Sequence, residues 1–270
     1  MDCLLLEGKG KRGPEGGLAE SELMTIVVMY HGSHFQDFKA FYKAYVQGLW
    51  KKAFPQAPCY ERFITLQGRI FVPLTLFLGS RMGQKTGIYY VDSTSLPVCH
   101  NKRISRHKVF AGLAARGKTS MGWFFGFKLH IVFNHLREIV AIKITRGNVS
   151  DAGILPELSR DLIGKIFGDK GYLGKKLAQE LLNRGLTLMT RVRKNMKALP
   201  MTLLDKALLN GRNIAETIIG NIKEFSSLNL PRHRSVTNAF VHLIAALTNY
   251  QLKPLTPKLE NPCLFNLINS

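Results

Sequence analysis

From Leu18 to about Met82 the apolar positions recur with the spacing of amphipathic helices. "AESELMTIVVMYHG" opens one helix, with Ser21 as the expected N-cap. "SHFQDFKAFYKAYVQGLWKKAF" opens a second through a capping box at Ser33 and Gln36 and stops before Pro55. "YERFITLQGRIFVPLTLFLG" gives a third, interrupted near Pro73. These compact helices predict a small N-terminal unit. Two forms fit: a helix-turn-helix-like module, or a cap packed on the main body.

After "RMGQKTG" the pattern changes to strands. "GIYYVDS", "GWFFGFKLHIVFN" and "REIVAIKITRG" are β-rich, the last two joined by a turn at "NHL". A capped helix in "SDAGILPELSRDL" comes next, then a short strand in "GKIFGDKGYLG" and a helix in "KKLAQELLNRG" closed by Gly185. "LTLMTRVRK" is the fifth strand. Helical stretches from Leu203 to Leu228 and from Ser235 to Tyr250 complete the order. This is a mixed α/β chain, a three-stranded meander followed by crossovers.

Composition sharpens the picture through charge. Lys and Arg number 38 against 18 Asp and Glu, a net charge of +20. A surplus that large is self-repelling unless a polyanion covers it, which makes nucleic acid the expected partner. The runs "IFVPLTLFLG" and "VHLIAAL" look too short to span a bilayer, and "MDCLLLEG" lacks the form of a signal peptide, so no membrane role is expected. Cys3, Cys59, Cys99 and Cys263 form no paired motif, which suits a reduced cytoplasmic protein.

Two aspartates share one setting. Asp92 ends "IYYVD" and Asp169 ends "IFGD", each at the C-terminal end of an apolar strand, the edge where open α/β sheets bind ligands. A third carboxylate, Glu216, lies in "GRNIAETIIGNIKEF". With Arg212 at zero on a helical wheel, Glu216 falls at about 40° and Lys223 at about 20°, one stripe of cation, carboxylate and cation. A plain Arg212–Glu216 surface pair would contribute only about 0.2–0.5 kcal/mol and leaves Lys223 unexplained. Three converging carboxylates resist ionising together unless a multivalent cation sits among them. Hard oxygen ligands left open to substrate phosphates are the Mg²⁺ pattern.

From Ser93 to Arg137 there is no Asp or Glu, while the window holds Lys102, Arg103, Arg106, His107, Lys108, Arg116 and Lys118. A solvated surface normally mixes signs. This stretch reads as a phosphate-binding loop beside the first aspartate. Arg232 and Arg234 precede the last helix and are further phosphate candidates. Trp123 is expected in the core, with base stacking as the other option, and His130 and His135 as packing or turn residues.

In order, "YVDST", "NKRISRHKVFAGLAARGKTSMGWFFGFKLH", "GNVSD", "FGDKGY" and the R-x3-E-x6-K of Arg212, Glu216 and Lys223 resemble bacterial DDE-type insertion-sequence transposases, most of all the nine-eighty-two family. The wider signature often carries Tyr three residues before the Arg, where this chain has Leu209. The resemblance implies an RNase H-like five-stranded sheet whose triad Asp92, Asp169 and Glu216 holds two Mg²⁺, with Mn²⁺ as a substitute. It further implies double-stranded DNA as partner, both element ends and target, a homodimer on paired ends, and work in the bacterial cytoplasm on the nucleoid. The expected division is a flexible segment 1–20, a helical DNA-end-binding module 21–84, a catalytic domain 85–252 and a tail 253–270. A nuclease of the same fold that does not join strands, and a truncated DNA-binding relic, remain the other readings.

Overall fold

Apolar side chains on both faces of "IYYV" force that strand into the middle of a sheet, because each face then needs its own cover. The computed structural model describes residues 17–120, 122–191, 201–211, 213–226 and 233–253, with the backbone alone at 213, 214, 221 and 223–226. The central strand is β1 (Ile88–Cys99), followed by β2 (Ala115–Thr119), β3 (Gly122–Asn134), β4 (Ile139–Arg146), β5 (Gly164–Gly168) and β6 (Leu186–Thr190). β1 runs antiparallel to β3 on one side and parallel to β5 on the other, and β6 extends the parallel half. The outer edge of β3 takes β2 along its first half and β4 along its second. The path β4-β3-β1-β5-β6, with only β3 reversed, is the arrangement of an RNase H-like sheet.

The sheet thus has six strands where five were expected. "ARGKT" has too little apolar surface to show as a strand. It pairs because the turn before Gly122, whose φ is 120°, folds it back onto "GWFFG" as a hairpin. Close packing continues at Gly126, where an added Cβ would stand 2.1 Å from the Leu96 carbonyl oxygen.

One face of the sheet carries Tyr90, Leu129, Ile131, Phe133 and Phe167. It is covered by α8 (Asn213–Ser226) and α9 (Val236–Leu252), which share their core with the N-terminal helices. The other face carries Tyr89, Val91, Val132 and Ile166 against α5 (Asp151–Leu158), α6 (Lys175–Leu182) and Tyr172. The helix α7 (Leu203–Asn210) is tied to β5 by a 2.6 Å bond from Lys165 to Asp205.

The N-terminal helices differ from expectation in their caps. The helix α1 (Glu20–Gly32) starts after Ala19, whose N–H donates to the Glu22 carboxylate at 2.7 Å, so Ser21 lies inside it. The helix α2 (Phe38–Phe41) is capped by Asp37 rather than by Ser33 with Gln36, and passes into a π-helical stretch, Tyr42–Leu49. Next come α3 (Tyr60–Gln67), a short turn of 3-10 helix and α4 (Phe71–Ser80). Pro73 falls in the first turn of α4, where its missing N–H costs little. The run expected to be too short for a bilayer is therefore part of a 21-residue helical segment, Tyr60–Ser80, that meets the length and apolarity needed. Its inner side, including Phe63, Ile70, Leu74 and Leu78, is buried in the core with α9.

Candidate active site

Strand register brings the two aspartates together. Tyr90 on β1 lies opposite Phe167 on β5, and their rings pack 5.6 Å apart on one face. Asp92 and Asp169 come two residues further along; Asp169 lies past the end of β5 as expected, but Asp92 does not end its strand, because β3 pairs with β1 as far as Cys99 and only the pairing with β5 stops at Tyr90. Asp169 keeps an extended backbone, φ −76° and ψ 171°, so side-chain alternation carries on one step past β5. The two carboxylates therefore occupy matching positions on neighbouring parallel strands, whose spacing is about 4.8 Å. Asp92 is half-buried and accepts a 2.8 Å bond from the Ser93 N–H, while Asp169 is exposed.

The third carboxylate reaches the same face by a different route. Ala215, Ile218, Ile219 and Ile222 form the buried stripe of α8, packed in the core that contains Tyr90 and Phe167. Gly211, just ahead of α8, lies beside the Tyr90 hydroxyl: a Cβ there would stand 3.4 Å from it, in ordinary contact. Glu216 is in the first turn of α8, exposed at the margin of the stripe. The expected single helix from Leu203 is two helices, α7 ending at Asn210 and α8 starting at Asn213. Arg212 and Arg232, and the side chain of Lys223, lie outside the described residues.

These oxygen donors have the chemistry of a hard-cation site. Asp92 and Asp169 hold matching positions in the register of β1 and β5, and Glu216 rides on the helix that covers the same face. Among the described residues no three His, Cys, Asp or Glu side chains stand close enough to hold one ion as they are. The part of the donor set in place is the aspartate pair.

Beyond Asp92, β1 leads into the basic segment. Ile104 and Val109, both half-buried, and the fully buried Phe110 anchor it to the core, with the Phe110 ring 5.7 Å from Phe127. A 3-10 helix, Asn101–Arg106, is capped by the His100 ring and turns Lys102, Arg103 and Arg106 outward. Lys108, Arg116 and Lys118 are also exposed, and none of the six forms an ion pair with a described carboxylate. His107 differs, being half-buried with its ring stacked on Phe110. Trp123, expected in the core, is 61% exposed, with the Lys118 ammonium 5.7 Å from its ring. β2 and β3 pair Lys118 with Trp123 beside the turn of their hairpin, and among the described residues no layer covers the indole there. Arg234 is exposed just before α9, whose N-cap is Ser235, accepting from the Asn238 N–H.

A second polar group lies behind Asp92; the sequence points to its His130 as a packing or turn residue and to "GNVSD" as a motif, but not to the two as one group. Lys128 on β3 bonds the Asp151 carboxylate at 3.1 Å and the Val149 carbonyl at 3.0 Å. His130 is fully buried beside Asp151 and bonds Thr145 at 2.8 Å, and burial above all lowers its pKa. His135 bonds Thr86 at 2.9 Å, a packing role of the kind expected. "GNVSD" contained the signal, since its Asp follows a turn and opens a helix, but the sequence gives no sign of which strand faces it.

Residues 82–236, more than half of the chain, match the family model described as a transposase DDE domain. The chain belongs to the DDE-domain transposases. No curated protein matches it in sequence. Among solved structures it resembles a piggyBac transposase synaptic complex with hairpin DNA, at 12% identity and a TM-score of 0.43, over 93% of this chain and 76% of that one. It also resembles a pre-cleavage Mos1 transpososome at 11% identity and a TM-score of 0.24, over 90% and 80% of the two chains.

Proposed function

We propose that this DDE transposase serves a bacterial insertion sequence of the nine-eighty-two family, cutting the element ends by hydrolysis and joining the freed 3′-OH to target DNA. The observation that carries the reading is the matched register of Asp92, inside β1, and Asp169, just past the end of β5, with the helix of Glu216 over the same face. Two magnesium ions, or manganese in their place, held by Asp92, Asp169 and Glu216, would supply the charge that activates the attacking oxygen and steadies the leaving one.

The chain's own residues do the rest. Lys102, Arg103, Arg106, Lys108, Arg116 and Lys118 hold the DNA backbone beyond Asp92 by neutralising phosphates, and Arg234 adds to this at the start of α9. Arg212, Lys223 and Arg232 complete the set by their place in the sequence. The helices of residues 21–84 recognise the element ends, and a homodimer on paired ends joins both in one event at the nucleoid, in the cytoplasm.

The test incubates the protein with labelled ends of its own element, a target plasmid and Mg²⁺. Wild type is expected to yield cut ends and joined product. Asp92→Asn, Asp169→Asn and Glu216→Gln are each expected to bind the ends yet cut nothing. Cut ends without joined product would make the protein a nuclease. Activity that survives Asp169→Ala would remove the carboxylates from the mechanism.

A further inference from the structure

Three lysines, Lys170, Lys175 and Lys176, follow Asp169 closely along the chain. β5 ends at Gly168, Lys170–Tyr172 form a turn of 3-10 helix, and α6 starts at Lys175. Leu186 at the start of β6 pairs with Gly164 at the start of β5, so α6 must run back from the Asp169 end of the sheet to the opposite end. Its first turn therefore stands on the rim beside Asp169. Buried side chains fix which way the segment faces. Tyr172 is in the core and seats its ring against Gly168, where an added Cβ would stand 3.0 Å from Tyr172 Cδ2. Leu181, with Leu177, turns the inner side of α6 to the same core. Lys170, Lys175 and Lys176 are left exposed, and none of them forms an ion pair with a described carboxylate.

Helix stability does not explain these charges. The first turn of a helix is the positive end of its dipole, where carboxylates are favoured and ammonium groups are not. α6 has no acid in that turn and no side-chain cap. Glu180, one turn after Lys176, pairs with Arg184 instead, at 3.7 Å, and Asp151 on the neighbouring α5 is already held by Lys128 at 3.1 Å. The sheet order places the lysines more tellingly. The basic segment beyond Asp92 packs on β3 through Phe110 and Phe127, β1 carries Asp92, β5 leads to Asp169, and the lysines come next on the way to β6. The two aspartates thus lie between two groups of unpaired cations. We propose, on the reading that Asp169 is a catalytic carboxylate, that Lys170, Lys175 and Lys176 form a second phosphate-binding patch. It grips the DNA backbone on the β5 side of the aspartate pair, as the basic segment grips it on the β3 side. The lysine charges, rather than the helix N–H groups, make the contact. A strand held on both flanks stays over carboxylates whose own charge would repel its phosphates.

Labelled duplex carrying an element end is titrated, over a range of salt, with full-length wild type and two triple variants. One is Lys170→Ala with Lys175→Ala and Lys176→Ala; the other replaces the same three residues by Arg. The Ala variant is expected to melt no lower than wild type, since it removes cations from the first turn of α6. Its slope of log K against log salt should be smaller by about 3, and at roughly 0.1 M salt it should bind about 500-fold more weakly. The Arg variant keeps the charge and is expected to bind as wild type does. An Ala variant with wild-type slope and affinity, or an Arg variant as weak as the Ala variant, would overturn the patch. Ethylating single phosphates of the duplex then locates the contacts. Phosphates whose ethylation weakens wild type but not the Ala variant are expected beside the cut site, and contacts remote from it would overturn the placement next to Asp169. The cutting assay with Asp169→Asn separates this patch from the catalytic reading. If Asp169→Asn still cuts the ends, the catalytic reading fails and the placement of the patch with it. If Asp169→Asn cuts nothing while the Ala variant binds as wild type does, the carboxylate stands and the patch alone is overturned.

Discussion

The basic segment permits a quantitative test of DNA binding. Six exposed cations, Lys102, Arg103, Arg106, Lys108, Arg116 and Lys118, face solvent with no described carboxylate paired to them, so none must break an ion pair to meet a phosphate. Each neutralised phosphate on duplex DNA releases about 0.9 of a counterion, so six contacts give a slope of about −5 for log K against log salt. Replacing Arg103 and Arg106 by Ala is expected to reduce the slope by about 2. At roughly 0.1 M salt, where each contact is worth about 8-fold, affinity should fall about 60-fold. Both residues project from the 3-10 helix, whose inner side chain is Ile104, so the fold should survive the change. The assay is fluorescence anisotropy with labelled duplex from about 50 to 200 mM salt. A double variant that binds more weakly with an unchanged slope would refute the reasoning, because the loss would then not be one of phosphate contacts. An unchanged affinity would place the DNA elsewhere.

Further outcomes follow from particular contacts. Trp123→Ala should weaken binding to single-stranded DNA by about 1–3 kcal/mol while leaving the melting temperature within a few degrees, since the indole is 61% exposed; equal affinity for wild type and variant would exclude stacking. Burial tends to raise the pKa of Asp205, but its bonds to Lys165 and Thr202 outweigh that and leave it lowered. Its contribution to stability is thus present above the ordinary carboxylate range and lost as pH falls through the lowered value. Asp205→Ala should cost roughly 1–2 kcal/mol in urea unfolding at neutral pH, and no loss there would deny the tether between α7 and β5. His242 is buried, bonded to His31 at 2.9 Å and Gln67 at 2.7 Å; burial first, then the neighbouring His31 and His233, hold its pKa well below the usual value. Burial likewise pushes His233 down to about 4. The unfolded chain binds these protons at about pH 6.5 and the folded chain does not, so stability is full above that pH and falls as pH drops toward about 4. Melting temperatures across that window should decline for wild type and less for His242→Gln. A flat wild-type profile would contradict the burial of these rings.

Much of this protein is written in local patterns. The short apolar runs "IYYV" and "IFG" announce strands covered on both faces, because successive side chains on a strand point to opposite sides, and an aspartate visibly closes each apolar run. The basic stretch without acids is likewise legible, since charge is a property of the residues themselves. What the chain does not write locally depends on partners far along it. β2 pairs because the turn at Gly122 brings it onto β3, and Trp123 is exposed because no described residue covers that hairpin. The place of α8 over the sheet is decided by the packing of Ala215, Ile218, Ile219 and Ile222 in the core that contains Tyr90 and Phe167. Above all, parallel register places Asp92 beside Asp169. Those juxtapositions arise from long-range packing, which no window of sequence contains, and they are what turn scattered acids into a site.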